Sequence, residues 1–217
     1  MPKLGMEPRR RADVINAALA CIRMYGIDGM TLDKVAEQAG CSKGVVTYYY
    51  KNKDHLTLEA FKSFMAYYGH KIESELDRAM PAEAMLDVVL RHILPPRGEN
   101  ADATINVSRL DGEEKMNIPY DDQAKLFVQF FARAMLDRNL QEVIAESYAG
   151  DLVGIAKIFD YGKATGRMAV DDSRGAAYGL LAMTVGLSFF RVAGFPLKDG
   201  EDNRIVGEDY LNRYWMK

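Results

Sequence analysis

The sequence predicts an all-α protein with a small N-terminal helical head and a larger helical body. Three observations carry that prediction. Apolar residues recur at steps of three and four through most of the 217 residues. The breaks between these runs hold Gly, Pro, Ser, Thr and Asp, which stop or cap helices. Charge is also unevenly divided: residues 1–55 carry nine Lys and Arg against six Asp and Glu, a balance of +3, within a chain whose net charge is -3. The remainder is therefore acidic, as expected if an anion-binding head is joined to a body with a different task.

The elements follow in order. Val14, Ile15, Ala18, Leu19, Ile22 and Tyr25 mark a first helix, led in by Arg9–Arg11 and stopped at Gly26. Thr31 is a suitable N-cap for a short second helix with Leu32, Val35, Ala36 and Ala39, ending at Gly40. Ser42 caps a third that runs to about Tyr49. Asp54 caps a fourth, whose stripe of Leu58, Phe61, Met65, Tyr68, Ile72 and Leu76 is long enough to join head and body. Pro81 opens a fifth helix, which ends at Pro95-Pro96.

From Gly98 to Tyr120 the helical period is lost. Asp111-Gly112 suits a type I′ turn, and a two-residue loop there predicts a β-hairpin near 104–118 that pairs Ile105 with Ile118, Val107 with Met116 and Arg109 with Glu114. Helical spacing resumes at Ala124, Phe127, Phe130, Phe131, Ala134 and Met135. Further helices are expected over Leu140–Gly162 and Asp172–Ala193, with a short one from Glu208 to Trp215. The charge-free stretch from Gly175 to Phe190 is shorter than a membrane span and reads as a buried helix.

Leu32–Lys51 has the internal logic of a helix-turn-helix. Ala36 is small where two helices must cross, and Gly40 permits a turn that most side chains resist. Val35, Ala39, Cys41, Val46 and Tyr49 fall at the spacing of a shared core. The third helix then projects Lys43, Gly44, Thr47 and Tyr48 outward. Its N-terminal amides, with Lys51 and Lys53 nearby, suit DNA phosphates, while Lys43 and Thr47 are placed for base edges in the major groove.

Residues 9–61, above all Thr31–Ala36 and Ala39–Leu56, resemble the DNA-binding domain of the tetracycline-repressor (TetR) family. The resemblance implies that Thr31, Ser42, Tyr49 and Lys53 hold phosphates and that Lys43, Gly44, Val45, Thr47 and Tyr48 face the groove. Family members commonly have Tyr where Thr47 stands and Phe where Tyr50 stands, so the operator sequence is not inherited from relatives. Leu126–Ala134, Asp137–Leu140 and Gly186–Gly194 resemble the regulatory domain of the choline-sensing BetI-like subgroup. The insert at 97–119 is longer than that subgroup usually carries. The expected division is a DNA-binding domain at 1–55 and a ligand-binding and dimerisation domain at 56–217.

In this family the last two long helices usually pair with those of a second subunit. The small residues Gly175, Ala176, Ala177, Gly179, Ala182 and Gly186 permit close approach, and Leu180, Leu181, Val185 and Phe189 supply apolar contact. A homodimer would present two heads to half-sites one turn of duplex apart. In the body, Tyr68, Met85, Val89, Phe127, Phe130, Phe131, Tyr148 and Met183 are candidates to line an effector cavity, although plain core packing uses the same spacing. They favour an apolar or aromatic effector. An aromatic cage for a quaternary ammonium is the variant the subgroup implies, with no acidic residue evidently placed to complete it.

Other function classes find little support. His55, His70 and His92 lie far apart without metal-ligand spacing, and neither a Gly-rich phosphate loop nor a nucleophile motif occurs, so neither enzyme nor cofactor is expected. Two cysteines make no disulfide framework and no apolar leader follows the first basic residues, so a cytoplasmic protein without membrane attachment is expected. Cys21 and Cys41 leave open a redox alternative, and a partner protein acting on the body is another. The expected function is a homodimeric regulator, a repressor, released from a palindromic operator by a small molecule.

Overall fold

The computed structural model describes residues 7–94, 104–105, 116–117, 120–195 and 203–216. The chain divides into two compact units. Unit 1 comprises residues 1–67 and 102–143, and unit 2 comprises 68–101 and 144–217.

Unit 1 opens with α1 (Glu7–Gly29), which breaks at Gly26, where φ is 75° and ψ is 166°. This left-hand backbone suits glycine, and the expected stop is therefore a kink followed by one more turn. Thr31 caps α2 (Leu32–Gln38), its Oγ1 accepting from the Lys34 amide at 3.2 Å. Gly40, at φ 61°, closes that helix: the Gly40 amide donates to the Glu37 carbonyl and the Cys41 amide to that of Ala36, the paired bonds of a Schellman ending. Next come α3 (Lys43–Tyr49) and α4 (Lys53–Glu75). Asn52 rather than Asp54 caps α4, its Oδ1 accepting from the His55 amide at 2.8 Å, because the helix starts a residue before Asp54.

The core of unit 1 gathers Leu19 and Ile22 of α1, Val35 of α2, Val46 of α3 and Phe61 and Phe64 of α4. Phe130 of α6 (Tyr120–Ala134) completes it, edge to face with Phe61 at 5.0 Å between centroids. Tyr50 takes the core place expected for Tyr49. It follows the last turn of α3 in extended backbone, which swings its ring inward and lets its hydroxyl donate to the Arg11 carbonyl at 3.2 Å. Ala39, Cys41 and Tyr49 are only half-buried.

The expected hairpin is corrected. Within the insert, the described residues form a two-residue ladder, β1 (Thr104–Ile105) with β2 (Met116–Asn117), paired Thr104 to Asn117 and Ile105 to Met116. That register is two residues from the expected one, so the longer hairpin with Ile105 opposite Ile118 is not supported; a slip of two keeps every side chain on its own face, so the apolar alternation of the sequence does not choose between the two registers. The Asp111-Gly112 turn and the Arg109–Glu114 pair lie outside the described residues, as does Pro95-Pro96.

Unit 2 is built from α5 (Ala82–Ile93), most of α7 (Arg138–Ala164), α8 (Ser173–Val192) and α9 (Asn203–Asn212). Its core joins Leu86 and Leu90 of α5, Ile155 and Phe159 of α7, Ala177 and Leu180 of α8 and Leu211 of α9. The last helix begins and ends earlier than expected. Tyr214–Met216 instead pair as extended chain with Arg167–Ala169, the Ala169 amide donating to the Tyr214 carbonyl at 2.8 Å.

Helix α8 is long and apolar enough to cross a membrane by length and composition, but only one face of it is buried as expected. Ala176, Ala177, Leu180 and Leu181 turn into the unit. The opposite stripe, Gly175, Tyr178, Ala182, Val185, Phe189 and Val192, is exposed or half-buried. The small residues therefore split between two faces: Ala176 and Ala177 join the core of the unit, while Gly175 and Ala182 are exposed.

Candidate nucleic-acid interface

The second and third helices of unit 1 present one continuous polar surface. Thr31, Ser42, Lys43, Gly44, Thr47 and Tyr48 are exposed, Val45 and Tyr49 half-buried. Tyr48 is the most open aromatic side chain among the described residues at 76% exposure, and its ring stands edge-on to Tyr49 at 5.0 Å. This exposure is built in by the buried side of α3: with Val46 fully enclosed, positions 44, 47 and 48 point away, and Lys43 is exposed as the first residue of the helix.

The basic side chains are held in three different ways. Lys43 reaches the Asp33 carboxylate at 2.9 Å, both side chains largely in solvent. Lys53 donates to the Asp28 carbonyl at 2.8 Å, and Lys34 to the Gly29 carbonyl at 2.8 Å while lying over the Tyr25 ring at 4.1 Å. The Thr47 hydroxyl donates back to the Lys43 and Gly44 carbonyls at 3.1 and 3.2 Å, which fixes its rotamer and turns its methyl outward. Ser42 makes no side-chain capping bond. The arrangement offers cations, hydroxyls and an exposed helix start to an anionic polymer.

A second set of contacts steadies this surface. Gln129 of α6 accepts from the Ile27 amide at 3.0 Å, directly after the kink in α1. Arg133, one turn further along α6, pairs with Asp54 at 3.1 Å and approaches Asp28 at 4.0 Å. Cys21 is buried and Cys41 half-buried, both as free thiols. Burial pushes both thiols up, away from the thiolate that oxidation requires.

The expected effector-contact residues come from both units. Phe127, Phe130 and Phe131 belong to unit 1, where Phe130 is fully buried and Phe127 stacks edge to face on Phe64 at 4.8 Å. Met85, Val89, Tyr148 and Met183 belong to unit 2, where Val89 is core and the other three pack partly buried against it. The Tyr68 side chain lies outside the described residues. Among the described residues no group of three or more His, Cys, Asp or Glu is arranged to hold a metal ion.

Two carboxylates escaped sequence reasoning. Asp33 counted only toward net charge, although its place in the first turn of α2 puts it beside the start of α3. Asp151 lies on the stripe of α7 made by Ile144, Ile155 and Ile158, all less than a tenth exposed, yet is itself exposed. Protein atoms crowd its carboxyl and push it up to about 6. One turn away, burial and the nearby Asp151 push the Tyr148 hydroxyl up. A lone acid interrupting an apolar stripe was the available signal.

Comparison with known proteins places these features in context. Residues 14–60 match the family model described as bacterial regulatory proteins, tetR family. The HTH-type transcriptional regulator BetI 2 of Chromohalobacter salexigens is 30% identical over 214 residues, covering 98% of this chain and 92% of that protein. BetI of Serratia proteamaculans is 33% identical over 76 residues, 35% of this chain and 38% of its own length. The match thus spans well under half of that relative. Among solved structures, a TetR transcription regulator from Haloarcula marismortui has a TM-score of 0.79 at 15% identity, covering 96% of this chain and 99% of that one. A transcriptional regulator from Saccharomonospora viridis in complex with choline has a TM-score of 0.77 at 18% identity, with the same coverage.

Proposed function

The chain belongs to the TetR family of bacterial transcriptional regulators, and from that premise we propose that it is a repressor that binds a palindromic operator as a homodimer and is released by a small cationic molecule with an apolar body. The observation that carries the DNA-binding part is the exposed row of Lys43, Gly44, Thr47 and Tyr48 on α3, backed by a fully buried Val46. In this reading residues 1–55 bind DNA. Thr31, Ser42, Tyr49 and Lys53 contact phosphates, while Lys43, Gly44, Val45, Thr47 and Tyr48 face the groove.

Residues 56–217 dimerise and bind the effector. The exposed stripe of α8, with Tyr178 at 67% and Phe189 at 41% exposure, supports pairing with the same stripe of a second copy, since apolar helix faces are costly to leave in water. Effector recognition is assigned to the body, where Tyr148 and Asp151 offer an aromatic face and a carboxylate one helical turn apart on α7, in the same unit as Met85, Val89 and Met183. Such a pair suits an alkylammonium group. Choline is the compound to try first, because it is bound in the Saccharomonospora viridis relative in fold. Effector binding favours a conformation whose two heads no longer match successive major grooves.

The test begins with selection of duplexes from a randomised pool, followed by titration of the enriched sequence with and without choline. An enriched sequence with two-fold symmetry is expected, bound with a steep salt dependence. Lys43→Ala and Thr47→Ala should weaken the enriched duplex more than a scrambled one. Failure to enrich any sequence would sink the reading. For the effector, choline should raise the melting temperature and its neutral isostere 3,3-dimethylbutan-1-ol should not; equal shifts would remove Asp151 from the site.

A further inference from the structure

Resting on the DNA-binding reading above, we propose that Asp33 is a specificity-determining positioning residue, which acts through Lys43 rather than by touching DNA as an anchor. The two side chains come from different helices and meet at 2.9 Å across the Gly40 turn. Lys43 is the first residue of α3 and Asp33 the second of α2, so the ion pair lies at the entrance of the helix that faces the groove.

The charge consequence separates Lys43 from the other lysines of this surface. Lys34 and Lys53 are steadied by neutral carbonyls at 2.8 Å and keep their full charge for phosphates. Lys43 is held by a carboxylate, which cancels its charge at a distance. A free lysine is a flexible point charge that follows the phosphate backbone on any sequence. A lysine whose ammonium gives one N–H to Asp33 has two left, aimed from a fixed place, and these serve a base acceptor such as guanine O6 or N7. Asp33 also repels phosphates that would otherwise draw Lys43 away. Both effects lower affinity for random duplex while sparing the sequence that offers the right acceptor.

The pair is exposed, with side-chain exposures of 55% and 70%, so its effect on overall affinity is small and its effect on discrimination is the quantity to read. Dissociation constants of wild type and Asp33→Asn are measured for the duplex enriched by the wild type and for a scrambled duplex, at several salt concentrations. Asp33→Asn should bind the scrambled duplex several-fold more tightly and the enriched one no more tightly, so that the ratio falls by about fivefold. Asp33→Glu should restore most of the ratio, and in a Lys43→Ala background Asp33→Asn should leave it unchanged. If Asp33→Asn shifts both duplexes by one common factor, as removal of any negative charge would, this inference is overturned and the DNA-binding reading stands. If the wild type enriches no duplex, the DNA-binding reading itself fails.

Discussion

Replacing Gln129 by Leu removes a hydrogen-bond acceptor from a buried amide without opening a hole. The Ile27 amide needs that acceptor because Gly26 leaves helical backbone at φ 75°, ψ 166°, so the turn that restarts with the Met30 amide donating to the Gly26 carbonyl begins with donors lacking a helical partner. Gln129 supplies one of them from another helix at 3.0 Å, and Ile27 itself is only 6% exposed. An unsatisfied buried amide costs about 1–3 kcal/mol, whereas a hydrogen bond exchanged for water would cost about 1. For a chain of this length a loss of about 2 kcal/mol lowers the melting temperature by about 4–8 °C. Gln129→Glu keeps an acceptor at the same reach and should stay within about 0.5 kcal/mol of wild type. Urea unfolding followed by circular dichroism, at one fixed protein concentration so that association does not intrude, distinguishes these outcomes. Leu and Glu variants of equal stability would refute the idea that the acceptor matters.

Other outcomes follow from the same structure. Phe130→Ala, at a fully buried ring stacked on Phe61, should cost about 3–5 kcal/mol in unfolding free energy. Gly40→Ala should cost about 1 kcal/mol from backbone alone, since φ is 61° and nothing lies within 4 Å of an added Cβ; a calorimetric melt reads it. For Asp151, folding raises the carboxyl from an ordinary 3.8 to about 6, so its ionisation opposes folding. The penalty is absent below about pH 4, grows up to about 6 and is constant above. Asp151→Asn should therefore stabilise the free protein at pH 7 and leave it unchanged near pH 3. Choline affinity should climb with pH through about 6 in the wild type and stay flat in the variant. Tyr178→Glu with Phe189→Glu should convert the dimer to monomers in sedimentation while leaving helix content intact, and a surviving dimer would place the interface elsewhere.

Sequence alone determined the features whose causes are local. Thr31 caps α2, Gly40 ends it and Val46 anchors α3 because caps, left-handed turns and helical periodicity act within one or two turns of chain. Lys43, Thr47 and Tyr48 were legible as an outward face for the same reason. Decisions that depend on distant residues belonged to the tertiary structure. Tyr50 displaced Tyr49 from the core because the Arg11 carbonyl, 39 positions away, receives its hydroxyl. The small residues of α8 split between two faces because the core of unit 2 claims one of them, and β1 and β2 pair two residues away from the register that an Asp111-Gly112 turn would set. Gln129 became a cap for a helix 102 positions earlier. Asp33 and Asp151 looked like ordinary surface charge until the fold set one against Lys43 and the other within an apolar stripe. A charge takes its meaning from its neighbours in space, and those are supplied only when the chain has folded.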